Sequence, residues 1–345
     1  MSARLSAPVE ILRGPHRPSH GELRDKVQKG NMRKNIPPRW LAGIDLGVTH
    51  YRIGIVEASS GKIQKLSKLK TNGFTLPLFC DALSKVAGPY KKHLAGIGVA
   101  VPGFPDHLQR RVITTCGTVP FLESCDVADA VEERLKVPTW VDNDARAHAV
   151  GEFQYGGWGK PRSLVVMTLG TGVGLAWHVE GRLYPPPDHG AQGGHMAVLP
   201  NTGNPCYCGI SGCLESLAGG TAIAAAANEC LARFYPSKLV APADTEQICR
   251  LGTTDQLSKK CIERAIEALR GALHTLHHLY FPDVLVLGGG ASVGLWPYLG
   301  PLRKWFAKAE RFDGRHNRLV LSRLGDKAGV LGAAALALSK LPSAK

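Results

Sequence analysis

The sequence predicts an α/β fold made of two similar lobes with a cleft between them. Two observations carry this prediction. Short apolar segments of strand character alternate with helical segments from Trp40 to the C-terminal end, and such alternation is typical of α/β proteins. A strand, a glycine turn and a second strand also follow one another in Leu41–Val56 and again in Ser163–Val179. A repeated unit of this kind indicates a duplicated lobe.

The first half of the chain is predicted to begin with a strand, a tight glycine turn and a second strand in Leu41–Val56. A hairpin turn at Ser59–Lys62 then leads to a third strand. Helices and short buried strands alternate after it. The further predicted elements are a strand at Ile63–Leu66, a helix at Phe79–Val86, a strand at Ile97–Val101, a helix at Val127–Leu135, a strand at Thr139–Val141 and a helix from Ala145 to Glu152.

The second half repeats the strand, turn and strand, and then alternates between helices and buried strands. An Ala-rich helix closes the chain. The predicted elements are strands at Ser163–Thr168 and Leu175–Val179 around the turn Gly170–Gly174, helices at Ala222–Phe234 and Lys260–Tyr280, strands at Val284–Leu287 and Leu319–Ser322, and a helix at Ala328–Leu341.

The composition predicts a soluble protein of the cytoplasm. No apolar run reaches the roughly 18–20 residues that a membrane span needs, and the N-terminus lacks the apolar segment of a secretory signal. The nine cysteines are an odd number for a disulfide framework, and three of them cluster in one loop. This usage indicates a reducing compartment and one metal site.

The charge is strongly basic and unevenly distributed. The formal net charge is +14, and residues 1–39 hold nine Lys/Arg against three Asp/Glu. Such a balance raises the question of nucleic-acid binding. This N-terminal stretch has room for one short helix, at Gly21–Arg33, but not for a winged-helix domain. We therefore expect a basic, loosely attached arm, and we regard nucleic acid as an unlikely partner.

The first candidate phosphate site is the turn that follows Asp45. Gly47 permits the close approach that backbone N–H groups need to bind an anion, and the hydroxyl of Thr49 adds a donor. Asp45 could hold Mg²⁺, directly or through water. An ordinary hairpin turn is the alternative interpretation.

Two further glycine turns are candidates for nucleotide contacts. The segment from Thr168 to Gly174 combines alternate glycines with threonines directly after an apolar strand; its candidate residues are Thr168, Gly170, Thr171 and Gly172. Gly288, Gly289 and Gly290 follow another buried strand and would suit a flat adenine ring against the main chain. A tight hairpin and a flexible strand-to-helix turn are the respective alternatives.

Asp144 is the acid–base candidate, because it lies where a strand ends and a helix begins. The helix dipole favours an ionised carboxylate there. Such a group can accept the proton of a hydroxyl that attacks phosphorus, and phosphoryl transfer otherwise needs mainly positioning and charge neutralisation. The amide of the preceding Asn143 suits sugar hydroxyls. Helix capping is the alternative role of both residues.

The metal site is predicted from His195, Cys206, Cys208 and Cys213. Three thiolates and one imidazole form a closed tetrahedral set that suits structural zinc. Glu215 follows closely and could be aimed into the cleft. Three buried thiols beside an unrelated histidine are the alternative.

In this order, over about residues 40–340, the motifs resemble the ROK family of bacterial sugar kinases and sugar-sensing repressors. Five segments carry the resemblance besides Asn143-Asp144. These are Asp45–His50 as first phosphate loop, Val101–Gly103 after the central strand, Thr168–Gly174 as second phosphate loop, Gly194–Glu215 as zinc signature and Leu287–Gly290 as adenosine motif.

The resemblance implies two ribonuclease-H-like lobes, as in actin and hexokinase, that close on ATP and sugar. It places a basic arm at 1–38, one lobe at 39–147 (closed by the C-terminal helix at 328–345) and a second lobe with the zinc loop at 148–327. It further implies transfer of the γ-phosphoryl group of ATP to a hexose, commonly to the 6-OH of glucose. Mg²⁺ bound with the nucleotide, structural Zn²⁺ and a homodimer complete the expectation.

The resemblance also assigns roles to single residues. Asp144 would be the catalytic base. The expected sugar contacts are Gly103, Asn143, Asp144, Gln192, His195 and Glu215.

The sequence departs from the family pattern at several of these motifs. Val48 replaces a glycine and His50 a lysine in the first loop, Gln192 stands where the family has a glutamate, and Leu175–Trp177 replaces a glycine-rich continuation. The departures leave open a non-catalytic or weakly catalytic sugar-binding regulator. A kinase that takes polyphosphate as donor is a third interpretation.

Overall fold

The computed structural model describes residues 40–71, 73, 75–115, 117–184, 192–203, 205–309, 314 and 316–342. The expected arm and the short helix at Gly21–Arg33 lie outside these residues. The strands are β1 Trp40–Leu46, β2 His50–Glu57, β3 Ile63–Lys70, β4 Leu94–Val101, β5 Phe104–Pro105, β6 Val112–Thr114, β7 Thr139–Asn143, β8 Ser163–Leu169, β9 Val173–Val179, β10 Arg182–Tyr184, β11 Val284–Gly288 and β12 Arg318–Leu321. The α-helices are α1 Leu76–Ala87, α2 Val127–Leu135, α3 Asp144–Tyr155, α4 Leu214–Ala218, α5 Gly220–Ala232, α6 Thr245–Leu251, α7 Gln256–Tyr280, α8 Gly290–Leu295, α9 Gly300–Lys308 and α10 Ala328–Lys340.

Sheet one has the order β3-β2-β1-β4-β7. Short turns join β1, β2 and β3, so these strands are antiparallel, whereas β4 and β7 follow longer connections and run parallel to β1. One face of this sheet packs on α1 and α2 through a continuous apolar core that includes Ile44, Ile53, Phe79, Leu83 and Val131.

Sheet two repeats this layout with the order β10-β9-β8-β11-β12. β9 is antiparallel to β8 and β10, and β11 and β12 are parallel to β8. The amphipathic helix α7 buries its apolar face in the larger core of this half, together with Val165, Met167 and Leu285. The predicted α/β class and the predicted duplication are therefore confirmed.

Helices α3 and α10 lie between the sheets. α10 packs on β1 and β4 and also along α3. The approach is close because glycines line it: a Cβ atom on Gly98 of β4 would overlap the carbonyl oxygen of Ala333, and one on Gly332 would overlap that of Ala147. Both predicted lobes thus share this helix pair.

The predicted strands and helices are present, with differences at their ends. The closing helix does not extend to residue 345 but ends at Lys340, because Leu341 precedes Pro342 and a residue before proline disfavours the helical conformation. β3 continues to Lys70, beyond the predicted Leu66. Seven short elements were not predicted from the sequence, namely β5, β6, β10, α4, α6, α8 and α9. Among the described residues, no helix combines the length and apolar character that crossing a membrane requires.

Candidate active site

The junction between β7 and α3 brings two predicted site residues together. Oδ1 of Asn143 accepts hydrogen bonds from the backbone N–H groups of Ala145 (3.0 Å) and Arg146 (3.2 Å), so Asn143 caps α3. Its Nδ2 donates to the carbonyl oxygen of Gly103 at 3.0 Å. The capping role that the sequence left open is therefore filled by Asn143, which also fixes the loop after β4.

Asp144 is the first residue of α3, and its side chain is exposed to solvent. Its Oδ1 accepts a hydrogen bond from the N–H group of Ala145 at 2.8 Å. Desolvation by the surrounding protein raises the pKa of Asp144 to about 6, the bond from Ala145 opposes this rise, and the negative charge of Asp45 adds to it. The carboxylate is thus mostly ionised at neutral pH and still basic enough to take up a proton.

A buried ion pair lies beneath this junction. Asp142 is fully buried and accepts hydrogen bonds from Arg146 Nε (2.7 Å), Arg146 Nη2 (3.1 Å) and Gln109 Nε2 (2.6 Å). The backbone N–H group of Asn143 also donates to it, at 2.8 Å. The network fixes the chain direction immediately before the two candidate residues.

The first glycine turn is braced by the end of β3. Gly47 N–H donates to the carbonyl oxygen of His50 at 3.0 Å, which closes the turn. Thr71 holds it from the side, since its Oγ1 donates to Gly47 O (2.8 Å) and its N–H to Thr49 O (3.0 Å). Val48 and Thr49 are exposed at the tip.

Asp45 lies at the base of this turn and faces Arg52, with 3.2 Å between Asp45 Oδ2 and Arg52 Nη1. Burial raises the pKa of Asp45, and Arg52 opposes the rise. A Cβ atom on Gly329 would overlap the Asp45 carboxylate, so the start of α10 packs directly on it. Asp45 is also close enough to Asp144 for its charge to raise the pKa of that residue, so the two carboxylates are neighbours.

The second glycine turn is closed by a hydrogen bond from Gly170 N–H to Gly172 O at 3.0 Å. The beginning of α5 docks on it: Gly220 N–H donates to Gly170 O (2.8 Å) and Thr221 N–H to Thr171 O (3.0 Å). The turn is therefore rigidly positioned.

This turn also connects the other parts of the site. Glu215 Oε2 accepts the backbone N–H of Val173 at 2.8 Å. A Cβ atom on Gly194 would overlap the carbonyl oxygen of Val173, and one on Gly174 would overlap the side chain of Ala145. The second turn thus touches the segment of His195, the helix of Glu215 and the start of α3.

The third turn is explained largely by packing. A Cβ atom on Gly288 would lie 3.0 Å from Nε2 of His148. Gly289 has φ of +85° and lies against the carbonyl oxygen of Leu169. A Cβ atom on Gly290, by contrast, would meet no other atom within 4 Å. Gly289 is therefore required by the fold itself, Gly288 packs tightly on His148, and Gly290 faces open space.

The predicted metal ligands His195, Cys206, Cys208 and Cys213 form one cluster, in which one ligand atom of each residue lies within 4.8 Å of the others. Burial and the neighbouring thiols raise the pKa of Cys206. Burial also acts to raise the pKa of Cys213, but hydrogen bonds involving His195 and Ser216 outweigh it and lower that pKa. Three sulfur atoms and one imidazole nitrogen this close together fit a tetrahedral zinc site.

His195 is oriented by a residue of the same loop. Its Nδ1 lies 3.5 Å from Cys206 Sγ, and its Nε2 lies 2.9 Å from the hydroxyl oxygen of Tyr207. The rings of His195 and Tyr207 are perpendicular, with 4.8 Å between their centroids. With Nδ1 turned to the thiols, Nε2 faces the exposed tyrosine.

The structure thus brings the predicted segments to one place, and the comparisons with known proteins identify the arrangement. The model of the ROK family matches residues 41–340. The chain belongs to the ROK family.

The ROK relatives include kinases and repressors. A glucokinase of Halalkalibacterium halodurans is 30% identical over 317 residues, covering 85% of this chain and 93% of that protein. A putative xylose repressor of Caldicellulosiruptor sp. is 28% identical over 334 residues, covering 87% of this chain and 78% of that protein. The crystal structure of a ROK glucokinase from Streptomyces griseus, in complex with glucose and AMPPNP, has a TM-score of 0.69 at 26% identity and covers 87% of this chain and 99% of that one. The two-lobed actin and hexokinase fold is therefore confirmed.

Sequence reasoning within the ROK pattern missed three contributors to the site: Arg52, Gln109 and Tyr207. Arg52 and Gln109 act on carboxylates 7 and 33 residues away, and nothing local marks them. The Asp142–Arg146 pair did have a local signal, namely opposite charges four residues apart across a strand-to-helix junction.

Proposed function

We propose that the protein is an ATP-dependent hexose kinase that transfers the γ-phosphoryl group to a sugar hydroxyl, the 6-OH of glucose or of a related hexose. The observation that carries the proposal is the carboxylate of Asp144. It is exposed at the start of α3, has a pKa of about 6, and neighbours the carboxylate of Asp45 below the first glycine turn. The glucokinases among the relatives support this function.

Asp144 would act as the general base. As the sugar oxygen attacks the γ-phosphorus, its proton passes to Asp144 while the bond from phosphorus to the leaving oxygen of ADP breaks. A base with a pKa just below the working pH is largely ionised and still takes the proton effectively. The helix N-terminus and the Ala145 N–H group hold the ionised form in place.

The sugar would lie between the junction of β7 with α3 and the metal loop, by which we mean the segment from His195 to Cys213. Its proposed contacts are Gly103, Asn143, Asp144, Gln192, His195 and Glu215. Glu215 has a second task, because one of its carboxylate oxygens already binds the N–H of Val173. A sugar bound to Glu215 would therefore also stabilise the second glycine turn.

The nucleotide would bind along the three glycine turns. The proposed residues are Asp45, Gly47, Thr49, Thr168, Gly170, Thr171, Gly172, Gly288, Gly289 and Gly290. Mg²⁺ bound with ATP would neutralise phosphate charge, and Asp45 is the residue that would hold its water shell. Backbone N–H groups of the second turn would bind phosphate oxygens.

His195, Cys206, Cys208 and Cys213 would hold Zn²⁺ in a structural role. Four protein ligands leave no open position, so the ion would order the loop that carries Tyr207 and leads into the helix of Glu215, and it would not activate water. A homodimer and a cytoplasmic location complete the proposal, on the resemblance to ROK kinases alone.

The test is release of ADP, coupled to an indicator reaction, across glucose, mannose, fructose, allose and N-acetylated hexosamines. We expect turnover with at least one sugar. Asp144→Asn keeps the hydrogen bond from Ala145 and removes the base, so it should lower kcat by about 10²–10⁴-fold with an unchanged unfolding temperature. No turnover by zinc-loaded protein with any sugar and either ATP or polyphosphate would refute the proposal.

A sugar-binding regulator is the second candidate. The exposed valine at the tip of the first turn and the glutamine at 192 favour it, as does the xylose repressor among the relatives. It predicts sugar binding, seen as a rise in unfolding temperature, without release of ADP.

A further inference from the structure

A cation lies beside the first glycine turn, two residues after His50. Arg52 lies in β2 directly opposite Asp45 of β1, and its Nη1 is 3.2 Å from Asp45 Oδ2. Alternate residues of a strand project to the same side, so Arg52 shares the face of His50, the position at which the family has a lysine. The guanidinium therefore lies on the side of β2 that the missing lysine would have used.

The charges of the site favour a cation at this position, in addition to the Mg²⁺ that would be bound with the donor. Asp45 and Asp144 are neighbouring carboxylates, and their mutual repulsion helps to raise the pKa of Asp144. A polyanionic phosphoryl donor that approaches two carboxylates needs compensating positive charge. The guanidinium of Arg52, next to Asp45, supplies a permanent positive charge at this position.

Arg52 is also free to act. Its side chain is 31% exposed, and within the described residues its one hydrogen-bonded protein partner is Asp45, through Nη1. A guanidinium has five N–H donors, so most of them remain for a ligand. The ion pair with Asp45 holds the group near the turn before the donor arrives, which lowers the entropy lost on binding.

We propose that Arg52 replaces the missing lysine of the first turn and binds the terminal phosphate oxygens of the donor during transfer. This inference rests on the proposed kinase function. Arg52 would be a catalytic residue, since it would touch the transferred group. The planar guanidinium matches two phosphate oxygens at once.

A purely structural role makes a different prediction. A partly exposed ion pair contributes little to stability, about 0–1 kcal/mol. If Arg52 only stabilised the fold, its removal would change kcat and the KM for the nucleotide little. A lysine placed at position 50 in addition would then not change the activity either.

The test compares Arg52→Ala, Arg52→Lys and the double variant His50→Lys/Arg52→Ala in steady-state kinetics with varied MgATP and a saturating sugar. Loss of a charge-assisted contact should lower kcat/KM for MgATP by roughly 10- to 100-fold in Arg52→Ala, with the KM for the sugar unchanged. Arg52→Lys should keep most of the activity. The double variant should regain at least about tenfold, because it returns a cation to the family position.

Lys68→Ala is the matched control. Lys68 faces Arg52 across β2 and β3 in the same register and is exposed, so its removal takes one cation from the same face of the sheet without touching Asp45. We expect kcat/KM to stay within about twofold of the wild type. Thermal unfolding of every variant separates loss of the contact from loss of the fold.

The proposal is overturned if Arg52→Ala equals the wild type, if neither lysine variant restores activity, or if Lys68→Ala loses as much. If the wild type has no turnover with any sugar, the kinase function fails separately. Binding of Mg·AMPPNP to the same variants, measured by calorimetry, then tests the role of Arg52. Weaker binding by Arg52→Ala than by the wild type, with binding regained in the two lysine variants, supports the proposal. Equal affinities in all variants, or no detectable binding in any of them, overturn it.

Discussion

Asp142 and Asp144 are two residues apart and have opposite environments. Asp142 ends a buried strand and is neutralised by Arg146, whereas Asp144 begins a helix and faces solvent. The change from strand to helix at Asn143 separates them, because alternation of side chains stops where the strand stops. Asp142 thus fixes the junction of strand and helix, and the exposed carboxylate of Asp144 is available for the proposed role as general base.

The pKa of Asp144 gives a pH dependence of activity. The ionised form is the base, so kcat/KM should rise with pH through about 6 and level off above neutrality. A series of initial rates from pH 5 to 8.5, with sugar and MgATP well below their KM values, measures it. A flat profile below pH 6 would contradict the assignment.

The same shift predicts how stability responds. A carboxyl group whose pKa is higher in the folded than in the unfolded state binds more protons when folded, between about pH 4 and 6. Its contribution to folding is therefore fully present below about pH 4 and is lost as the pH rises through the folded value. An asparagine at this position does not ionise, so the Asp144→Asn variant does not lose folding free energy as the pH rises. The unfolding temperature of this variant at pH 7.5 should therefore not fall below that of the wild type.

Part of the candidate site could be recognised from the identity of single residues in the sequence. Asp144 is a candidate because a carboxylate at a strand-to-helix junction has a local signature, and the clustering of His195, Cys206, Cys208 and Cys213 was expected from residue type and spacing. Tyr207 could not, because its role depends on the position of His195, 12 residues earlier.

At the scale of elements, the metal loop stands out because it has little regular structure of its own. Between residues 196 and 213 the described residues form no helix or strand, but only turns, bends and the isolated bridges of Ala197 with Cys213 and of Pro205 with Ser211. An ordered loop of this kind needs another source of stability. Four ligands on one ion would supply it.

Removal of the metal should therefore loosen this element. We expect about one zinc ion per chain, a lower unfolding temperature after treatment with a chelator, and recovery on adding Zn²⁺. Elemental analysis measures the zinc content, and thermal unfolding measures the loss and the recovery of stability. Cys206→Ser should lose the ion.

Cys125→Ser is the control for that variant. Cys125 is half-buried, as Cys206 is, but lies outside the cluster, so it should keep a full complement of zinc. Zinc bound equally by Cys206→Ser would show that the four side chains do not form the site.

The glycine turns show what local sequence patterns can predict and what they cannot. Each was placed correctly at the end of a strand, because glycine and polar residues interrupt apolar runs. What each glycine is for depended on the neighbours: Gly288 accommodates His148, and Gly172 lies against Glu215. These neighbours come from other elements, so the sequence left phosphate binding and tight packing undecided.

At the scale of the whole molecule, the two sheets are joined through α3 and α10. α10 lies so close to β4 that a side chain at Gly98 would enter the backbone of the helix at Ala333. Interiors at native density cannot absorb such an addition without movement. The position of α10, and with it that of Asp45 against Gly329, depends on this approach.

Gly98→Ala should therefore lower the free energy of unfolding by about 1–3 kcal/mol or more, the usual cost of overpacking. Denaturant-induced unfolding measures it. Gly88→Ala is the matched control, because a Cβ atom there would meet no other atom within 4 Å; we expect it to be neutral or slightly stabilising. Equal stability of the two variants would mean that α10 is not held against β4 in this way.

The sequence by itself determined the α/β class, the duplicated strand-turn-strand unit, a helix start next to Asp144 and the residue types of the His/Cys cluster. Each of these depends on chemistry within a few residues: periodicity, turn-forming glycines, capping and ligand type. Only the tertiary structure decided that Arg52 faces Asp45, that Gln109 meets Asp142 and that Glu215 binds the N–H of Val173. Those contacts are set by strand register and helix packing, which bring together residues up to 42 positions apart along the chain, and no local pattern encodes which distant partners will meet.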